Sequence, residues 1–457
     1  MGLPARAAAS RPHIVHIVAD DLGWKDVGFH GSDIQTPAID RLAAGGARLE
    51  QFYAQPMCTP TRACLMTGRY PFRYGLQTAV ILSAHTYGLP TDEWLLPQAL
   101  KEAGYATAIV GKWHLGHGDR KYWPRQRGFD HQYGPLIGEL DYFTHKQHGV
   151  VDWYRNNKRI IEKGYTTTLL GDDAVRLIDA HDPAVPLYLY LTFNAPHTPY
   201  QAPPEYLEKY RHIADPNRRA YAGSISAMDD QIARVVDALQ RKGMRDDALI
   251  LFHSDNGGTF NKMFAGEGDM SKVTIPCDNG PFREGKGSLY EGGTRVCALA
   301  NWPGRIRPGI AVDGMIHVVD LYPTLAGLAG ASMALCKPLD GVDVWPVMSE
   351  GRPSPRTEII YNIEAFRAGV RQGDWKLVWR APIPSIPELY NLATDPSETT
   401  NVAEAHPDTV AALQKRANEL AKTRVRSMLL ATEFEAIQQR MHLPPALPGE
   451  DYQITEP

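Results

Sequence analysis

The sequence lacks two features that mark particular classes of protein. It has no basic excess, because 48 Lys and Arg stand against 52 Asp and Glu among 457 residues, which leaves a formal net charge of −4. A basic excess is usual in nucleic-acid-binding proteins, so this class is disfavoured. No apolar run approaches the roughly 18 residues that a membrane span needs, and the longest, at residues 187–193, has the length of a strand. We therefore expect neither a nucleic-acid nor a membrane partner.

Cysteine is also scarce, and the first residues carry no leader pattern. The five cysteines include no Cys-x-x-Cys pair, which predicts neither a disulfide framework nor a zinc knuckle. Residues 1–10 contain no apolar core of signal-peptide length. A cytoplasmic location is expected for the sequence as it stands, and a periplasmic or secreted one if a signal peptide was removed. The cysteines are Cys58, Cys64, Cys277, Cys297 and Cys336.

Short apolar runs alternate with amphipathic segments over the first 260 residues. Strands are predicted at 14–19, 107–110, 187–193 and 248–253, and helices at 36–46, 95–103 and 222–242. This alternation predicts an α/β fold in which a large, mixed, mostly parallel sheet is sandwiched by helices. The long connection at 259–287 has the length of a functional loop.

The composition changes near residues 349–355 (SEGRPSP), which is typical of a linker. Short alternating stretches and a helix at 407–423 follow, which predicts a smaller C-terminal α+β subdomain with a small antiparallel sheet. The predicted units are a catalytic domain at 1–350, this subdomain at 351–442 and an extended tail at 443–457.

Carboxylate and amide side chains follow two of the predicted strands. Asp20 and Asp21 end the first, and Asp255 and Asn256 end the last. Taken singly, each pair is typical of a solvated loop or an Asx turn. Ligands gather at the carboxyl ends of parallel strands, however, and there the four side chains would form an all-oxygen cluster. Such a cluster suits a hard divalent cation, Ca²⁺ or else Mg²⁺.

Cys58 lies in the segment PMCTPTR. Pro60 at a first turn predicts that Cys58 begins a helix, where the helix dipole and Arg62 would favour an anionic ligand. A buried structural cysteine is the ordinary alternative. A Cys-dependent phosphatase would need an arginine six positions after the cysteine, but position 64 is Cys64.

Basic side chains follow the other predicted strands. Lys112 and His114 come after 107–110, His197 comes after 187–193, and Lys286 lies in the glycine-rich segment GKGSLYEGG. Singly, each is an ordinary surface lysine or half-buried histidine. Together with Arg62 they predict an anion-binding pocket with acid and base groups, suited to phosphoryl or sulfuryl transfer.

Two of these segments carry a family resemblance. Cys58-x-Pro60-x-Arg62 followed by LMTGR at 65–69, and GYATAIVGKWH at 104–114, resemble the two signatures of the type I sulfatases of the alkaline phosphatase superfamily. The resemblance runs from about residue 13 to residue 402. Within the family it is nearest to the arylsulfatase B, or N-acetylgalactosamine-4-sulfatase, type.

The resemblance implies an alkaline phosphatase-like fold and an arylsulfatase-type hydrolase of sulfate monoesters. The implied natural substrate is a sulfated sugar such as N-acetylgalactosamine 4-sulfate, contacted by residues 118–153 and 259–287. A maturation enzyme would oxidise Cys58 to formylglycine, whose hydrate attacks sulfur and forms a covalent sulfate-enzyme. The implied cation ligands are Asp20, Asp21, Asp255, Asn256 and the residue made from Cys58. The implied anion-binding and acid/base residues are Arg62, Lys112, His114, His197 and Lys286.

Two other functions compete with this interpretation. A phosphonate monoester or phosphodiester hydrolase of the same superfamily would use the same modified cysteine and a similar metal site. A catalytically inactive sulfatase-like binding protein would lack at least one of Cys58, Arg62, Lys112 and His114, and all four are present.

Overall fold

A computed structural model describes residues 11–264, 273–381 and 385–441. Within these ranges the strands are β1 (His13–Ala19), β2 (Ala47–Leu49), β3 (Phe52–Tyr53), β4 (Ala106–Gly111), β5 (His131–Gly134), β6 (Lys146–Gln147), β7 (Val150–Val151), β8 (Tyr154–Arg155), β9 (Lys158–Arg159), β10 (Leu187–Thr192), β11 (Ala248–Ser254), β12 (Ala298–Asn301), β13 (Ile310–Val312), β14 (Ile316–His317), β15 (Glu358–Ile363), β16 (Arg367–Gln372), β17 (Trp375–Arg380) and β18 (Glu388–Asn391). The α-helices are α1 (Pro37–Ala44), α2 (Cys58–Thr67), α3 (Leu96–Glu102), α4 (Thr166–Ala180), α5 (Pro204–Lys209), α6 (Pro216–Arg241), α7 (Glu291–Thr294), α8 (Leu321–Ala329), α9 (Trp345–Glu350), α10 (Pro407–Lys422) and α11 (Met428–Arg440).

Ten of the strands form one mixed sheet, in the order β13-β2-β12-β11-β1-β10-β4-β5-β8-β9. The five consecutive strands from β11 to β5 pair in parallel, whereas β12 and β8 pair antiparallel with their neighbours. The central strands β1, β10 and β11 are buried along their whole length, as parallel strands covered on both faces must be. The predicted α/β class and mixed, mostly parallel sheet are confirmed.

Helices cover both faces of this sheet. Because side chains alternate along a strand, Val15 and Ile17 of β1 pack into the core formed with α1, α4 and α6, whereas Ile14 and Val18 pack on the opposite side with α2, α3 and α8. Among the helices of the described residues, none combines the length and the apolar composition that crossing a membrane would need.

Helix α6 begins six residues before the predicted start. The side chain of Asp215 accepts a hydrogen bond from Asn217 N at 2.9 Å, and Pro216 occupies the first helical position. Further along α6, buried Asp229 accepts hydrogen bonds from Ala38 N and Ile39 N at 2.9 and 2.8 Å, which joins α6 to the start of α1. Burial raises the pKa of Asp229 to about 6.

The C-terminal strands β15 to β18 form a separate antiparallel sheet, with α10 packed on β16 and β17. The predicted small sheet is therefore confirmed. The boundaries at residues 350 and 442 remain predictions, and the predicted extended tail at 443–457 lies outside the described residues.

A buried ionic cluster joins this small sheet to α7 and to β3. Lys376 Nζ on β17 lies 2.9 Å from carboxylate oxygens of both Glu291 and Glu398. Glu291 also accepts a hydrogen bond from Tyr53 at 2.7 Å. Since Glu291 opens α7, the cluster anchors the segment that ends the long connection at residues 259–287.

Candidate active site

Four neighbouring strands bring the predicted polar residues to one edge of the large sheet. Strands β11, β1, β10 and β4 lie side by side and run in the same direction, so their carboxyl ends meet there. Backbone hydrogen bonds tie the ends together: Asp255 N donates to Ala19 O at 3.0 Å, and Lys112 N donates to Thr192 O at 2.9 Å.

The acidic residues form a buried cluster at this edge. Asn256 Nδ2 donates to Asp21 Oδ1 at 2.7 Å, and Asp21 N lies 3.3 Å from Asp255 Oδ1. The thiol of Cys58 lies 3.4 Å from Asp20 Oδ1. Asp21 has a φ of 63°, a value that costs energy in a residue with a side chain and is concentrated at functional sites.

This cluster fits a divalent cation. Asn256 Oδ1 is buried and has no hydrogen-bond partner among the described residues, so it offers a free oxygen beside three carboxylates. Burial and the nearby charge of Asp20 raise the pKa of Asp255 to about 6, which indicates that the site holds more negative charge than it easily accommodates. Ligand atoms of Asp20, Asp21, Cys58 and His197 lie within 4.8 Å of one another. The carboxylate and amide oxygens of Asp20, Asp21, Asp255 and Asn256 are ligands of the kind that suits Ca²⁺ or Mg²⁺.

Cys58 is the first residue of α2, as predicted, and its side chain is buried. Burial, with a contribution from Asp255, raises the pKa of the thiol well above its usual value. An unmodified Cys58 is therefore a neutral thiol and a poor nucleophile, because the thiolate is the reactive form.

Two lysines neutralise different carboxylates of the acidic cluster. Lys112 Nζ lies 2.5 Å from Asp20 Oδ2, and Lys286 Nζ lies 2.7 Å from Asp21 Oδ2. The backbone before Lys112 requires glycine, because Gly111 has a φ of 120° and a Cβ there would lie 1.8 Å from Thr192 O. Burial disfavours the charged form of Lys286, but the attraction of Asp21 prevails and raises its pKa well above the usual value.

Arg62 is buried behind the cluster, with its side chain 1% exposed. Its Nε and Nη2 donate to Asp255 Oδ2 at 3.1 and 2.8 Å, and its Nη1 donates to Lys112 O at 3.0 Å. The guanidinium therefore orients Asp255 and the turn at Lys112 and does not line the cavity described below.

His114 is held as a neutral imidazole. Burial and the nearby charge of Lys112 lower its pKa well below the usual value. Its Nε2 lies 3.1 Å from Ile81 O, and since a carbonyl only accepts, Nε2 carries the proton. Its Nδ1 is buried with no partner among the described residues, which leaves a lone pair for a substrate or nucleophile proton.

His197 faces the same centre from the loop after β10. Its Nδ1 lies 2.7 Å from Thr198 O, which assigns the proton to Nδ1. Its Nε2 lies 2.9 Å from Lys286 Nζ and 3.5 Å from Asp21 Oδ2. His197 and Lys286 thus form a pair in which a proton can move between Lys286 Nζ and His197 Nε2.

These groups open into a cavity of about 410 Å³. Cys58, His114, His197 and Lys286 all contribute to its wall. Part of the predicted substrate-contact segments also lines it, and residues 265–272 of the second segment lie outside the described residues. These lining residues are Ile137, Gly138, Glu139, Gln147, His148, Met263 and Phe264.

Residues 12–331 match the family described as Sulfatase. The chain belongs to the sulfatase family. Residues 284–425 of this sulfatase match a second family, described as N-sulphoglucosamine sulphohydrolase, C-terminal. The resemblance to type I sulfatases is confirmed, whereas the likeness to the N-acetylgalactosamine-4-sulfatase type stays a prediction.

Individual relatives agree with this assignment. The sulfatase is 40% identical to arylsulfatase J of Mus musculus over 390 residues, which cover 83% of this chain but only 63% of the relative. It is 33% identical to N-acetylgalactosamine-6-sulfatase of Mus musculus over 399 residues, covering 82% of this chain and 73% of the relative. The crystal structure of Ps i-CgsB in complex with k-i-k-neocarrahexaose superposes with a TM-score of 0.84 at 32% identity, covering 94% of this chain and 97% of that one.

Sequence reasoning missed the residues that support the sulfatase's histidines. A Cβ on Gly138 would lie 2.3 Å from His114 Cε1, so the glycine backbone packs directly against the imidazole. Buried Asp152 holds the segment before Gly138 by accepting from Leu136 N and Ile137 N at 3.0 and 2.8 Å. These contacts join loops that are distant in the sequence, and no local pattern marks them.

Proposed function

We propose that this protein hydrolyses sulfate monoesters of a sulfated sugar through a formylglycine made from Cys58. One observation carries the proposal: the Cys58 side chain contacts a cation-type oxygen cluster and opens, with Lys286, His114 and His197, into a single cavity. The high pKa of the thiol supports conversion of Cys58, because the unmodified side chain would be a poor nucleophile.

The residues around Cys58 have different roles in the proposed reaction. Lys112 and Lys286 supply positive charge where negative charge on the sulfuryl oxygens must be stabilised. One hydroxyl of the hydrated formylglycine gives its proton to Asp255 as it attacks sulfur. Lys286 Nζ supplies a proton to His197 Nε2, which passes it to the departing sugar oxygen. Nδ1 of His114 then takes the proton of the second hydroxyl, which expels sulfate from the covalent sulfate-enzyme and restores the aldehyde.

The cation ligands in this proposal are Asp20, Asp21, Asp255, Asn256 and the residue made from Cys58. When bound, Ca²⁺ or Mg²⁺ supplies Lewis-acid polarisation of the sulfate ester and offsets the buried carboxylate charge. Arg62 acts as a positioning residue by fixing the orientation of Asp255.

The decisive experiment compares Cys58→Ala and Cys58→Ser with Cys336→Ala. Cys336 is a matched control because it lies only half-buried against Tyr322, outside the cavity. Both Cys58 variants should lose at least about 10³-fold in turnover of an aryl sulfate, as expected when a nucleophile is removed. The control should keep the wild-type rate. Near-normal turnover by either Cys58 variant would refute the proposal.

Two further measurements define the chemistry. The mass of the peptide around Cys58, from protein produced with a formylglycine-generating maturation enzyme, should be that of the aldehyde or its hydrate. Sulfate and phosphonate esters of one phenol should then be compared, because the leaving group is the same in both. A higher kcat/KM for the phosphonate would reassign the protein as a phosphonate monoester hydrolase.

The sugar substrate is best sought among sulfated galactose derivatives. A relative is named an N-acetylgalactosamine-6-sulfatase, and another was crystallised with a neocarrahexaose. N-acetylgalactosamine 4-sulfate, which the sequence resemblance favours, should be assayed beside the 6-sulfate. Turnover of aryl sulfates with no turnover of any sulfated sugar would restrict the proposal to arylsulfatase activity.

A further inference from the structure

A second hollow of about 540 Å³ adjoins the active-site cavity. The two share Ser83, Ile137, Gln147 and His148 in their walls, so they are direct neighbours. We call the second hollow the side cleft and define it by His117, Arg120, Trp123, Tyr154, Asn157 and Arg159. The side cleft therefore lies where the next unit of an oligosaccharide bound in the active site would be.

Two short hairpins form a wall of the side cleft. Strands β6 and β7 are joined by His148 and Gly149, with φ values of 47° and 82°, and β8 and β9 by Asn156 and Asn157, with 47° and 67°. Two-residue turns with positive φ at both positions match the twist of the paired strands. Arg159 is therefore presented by strand register, opposite Tyr154, and not by a long loop.

The side cleft carries two arginines that lie outside the ion pairs of the described residues. Arg159 donates to Tyr154 Oη at 3.2 and 2.9 Å, and Arg120 lies over the Trp123 ring at 5.8 Å. The carboxylate in the wall, Asp152, is buried and accepts two backbone hydrogen bonds, and its charge acts on Arg159 without forming an ion pair. Arginine side chains that form no ion pair with a carboxylate are suited to bind a planar or tetrahedral anion.

Unused acceptors and aromatic rings accompany this charge. Asn157 Oδ1 and Gln147 Oε1 are buried and have no hydrogen-bond partner among the described residues. Such oxygens need donors, and sugar hydroxyls supply them. The rings of Trp123 and Tyr154 meet edge to face at 5.1 Å and offer apolar surface of the kind that lines ligand pockets. Arg120 and Arg159 are exposed, so the side cleft combines exposed cations with acceptor oxygens and aromatic rings.

We propose that the side cleft binds the sugar unit next to the one that loses its sulfate, and that Arg120 and Arg159 recognise an anionic group on that neighbouring unit. The group is a sulfate ester or a carboxylate. This inference rests on the proposed sulfatase activity and extends it: the preferred substrate is an oligosaccharide with anionic groups on adjacent units.

The test uses the full-length matured enzyme and four substrates. They are an aryl sulfate, a singly sulfated disaccharide, and the same disaccharide with a second sulfate or with a carboxylate on the neighbouring unit. The measured quantity is the ratio of kcat/KM for each disaccharide to kcat/KM for the aryl sulfate. The wild-type ratio should be at least about tenfold higher for a doubly anionic disaccharide, as one charge-assisted hydrogen bond provides.

Arg120→Ala and Arg159→Ala should each lower that ratio about tenfold or more for the doubly anionic disaccharides and much less for the singly sulfated one. The ratio for Arg159→Lys should lie between those of the wild type and Arg159→Ala, because lysine keeps the charge but loses the guanidinium fork. Arg125→Ala is the matched control, since Arg125 is exposed and lies outside both hollows. The aryl sulfate rate in each variant reports whether the active site has folded.

Each outcome decides a different point. Absence of aryl sulfate turnover in the matured wild-type enzyme would defeat the proposed function. Normal aryl sulfate turnover with equal ratios for singly and doubly anionic disaccharides would overturn the side-cleft inference alone. An equal loss on both classes of disaccharide in the arginine variants would also overturn the anion assignment. A larger loss with the second sulfate than with the carboxylate would identify the anion.

Discussion

Replacing Gly138 by alanine tests the role given to His114 without changing any reacting group. The new Cβ would lie 2.3 Å from His114 Cε1, about 1.1 Å inside the 3.4 Å at which ordinary contact begins. Gly138 does not have the positive φ that would strain an alanine, so the backbone accepts the change. The ring itself must withdraw, and its hydrogen bond to Ile81 O must stretch or break.

A displacement of about 1 Å at a catalytic group costs about 10²-fold in rate, or about 2.7 kcal/mol of activation free energy. Because His114 is assigned to the release of sulfate, steady-state turnover of an aryl sulfate should fall by that factor. The first turnover should still release close to one phenol per active site, since attack on sulfur depends on other residues. Rapid-mixing kinetics would therefore show a burst followed by a slow phase.

The matched control is Gly327→Ala in α8, where a Cβ meets no atom within 4 Å. It should keep the wild-type rate and show no burst beyond that of the wild type. An unchanged kcat in Gly138→Ala would refute the placement of His114 in catalysis. Loss of the burst together with steady-state turnover would instead place His114 in the first step.

Four other outcomes are expected. His197→Ala should reduce kcat/KM for a sugar sulfate by about 10²–10⁴-fold but less for an aryl sulfate, whose leaving group needs little acid assistance; equal losses would contradict its role as the acid. Exhaustive chelation should abolish turnover and lower Tm, with both restored by Ca²⁺ or Mg²⁺, and full activity after chelation would exclude the cation site. Lys376→Met leaves Glu291 and Glu398 buried without their partner and should cost about 3–5 kcal/mol in urea unfolding, whereas a loss under about 1 kcal/mol would show that the cluster is not held by charge. Because burial raises the folded-state pKa of Asp229 from 3.8 to about 6, the stability tied to its proton is complete below pH 3.8 and is lost as the pH rises through 6. The free energy of unfolding relative to Asp229→Asn should thus fall by up to about 3 kcal/mol between pH 4 and pH 7, and a flat difference would contradict the shift.

The cluster of polar residues at the sheet edge could be predicted because each follows a strand directly. In a parallel sheet the ends of β1, β4, β10 and β11 meet, so residues far apart in sequence, such as Asp20 and Asp255, are brought together by strand direction alone. The identity of the anion chemistry, by contrast, came from the family resemblance. The residues around Cys58 did not by themselves decide whether it is a structural thiol or a reactive one.

Other parts of the structure leave little trace in the sequence. Strands β2 and β12 are short and pair antiparallel, and Gly138 meets His114 only through the folding of separate loops. The first turns of α6 are polar, which hides the helix start even though Asp215 and Pro216 mark it. Helix α11 is a different case, because Leu430, Phe434 and Ile437 recur at helical spacing in the sequence although none of its residues is buried.

Because Cys58 is enclosed in the folded chain, its proposed conversion to formylglycine must come before folding is complete. In the folded chain Cys58 is 1% exposed, in the wall of the cavity that it shares with Lys286 and His197. A second protein could not bring its own catalytic groups to that thiol once the chain has folded. The proposed conversion therefore has to happen on the nascent or still-open polypeptide. Active enzyme would be obtained by supplying the maturation enzyme during synthesis, and adding it later to purified, folded protein would leave the thiol unchanged.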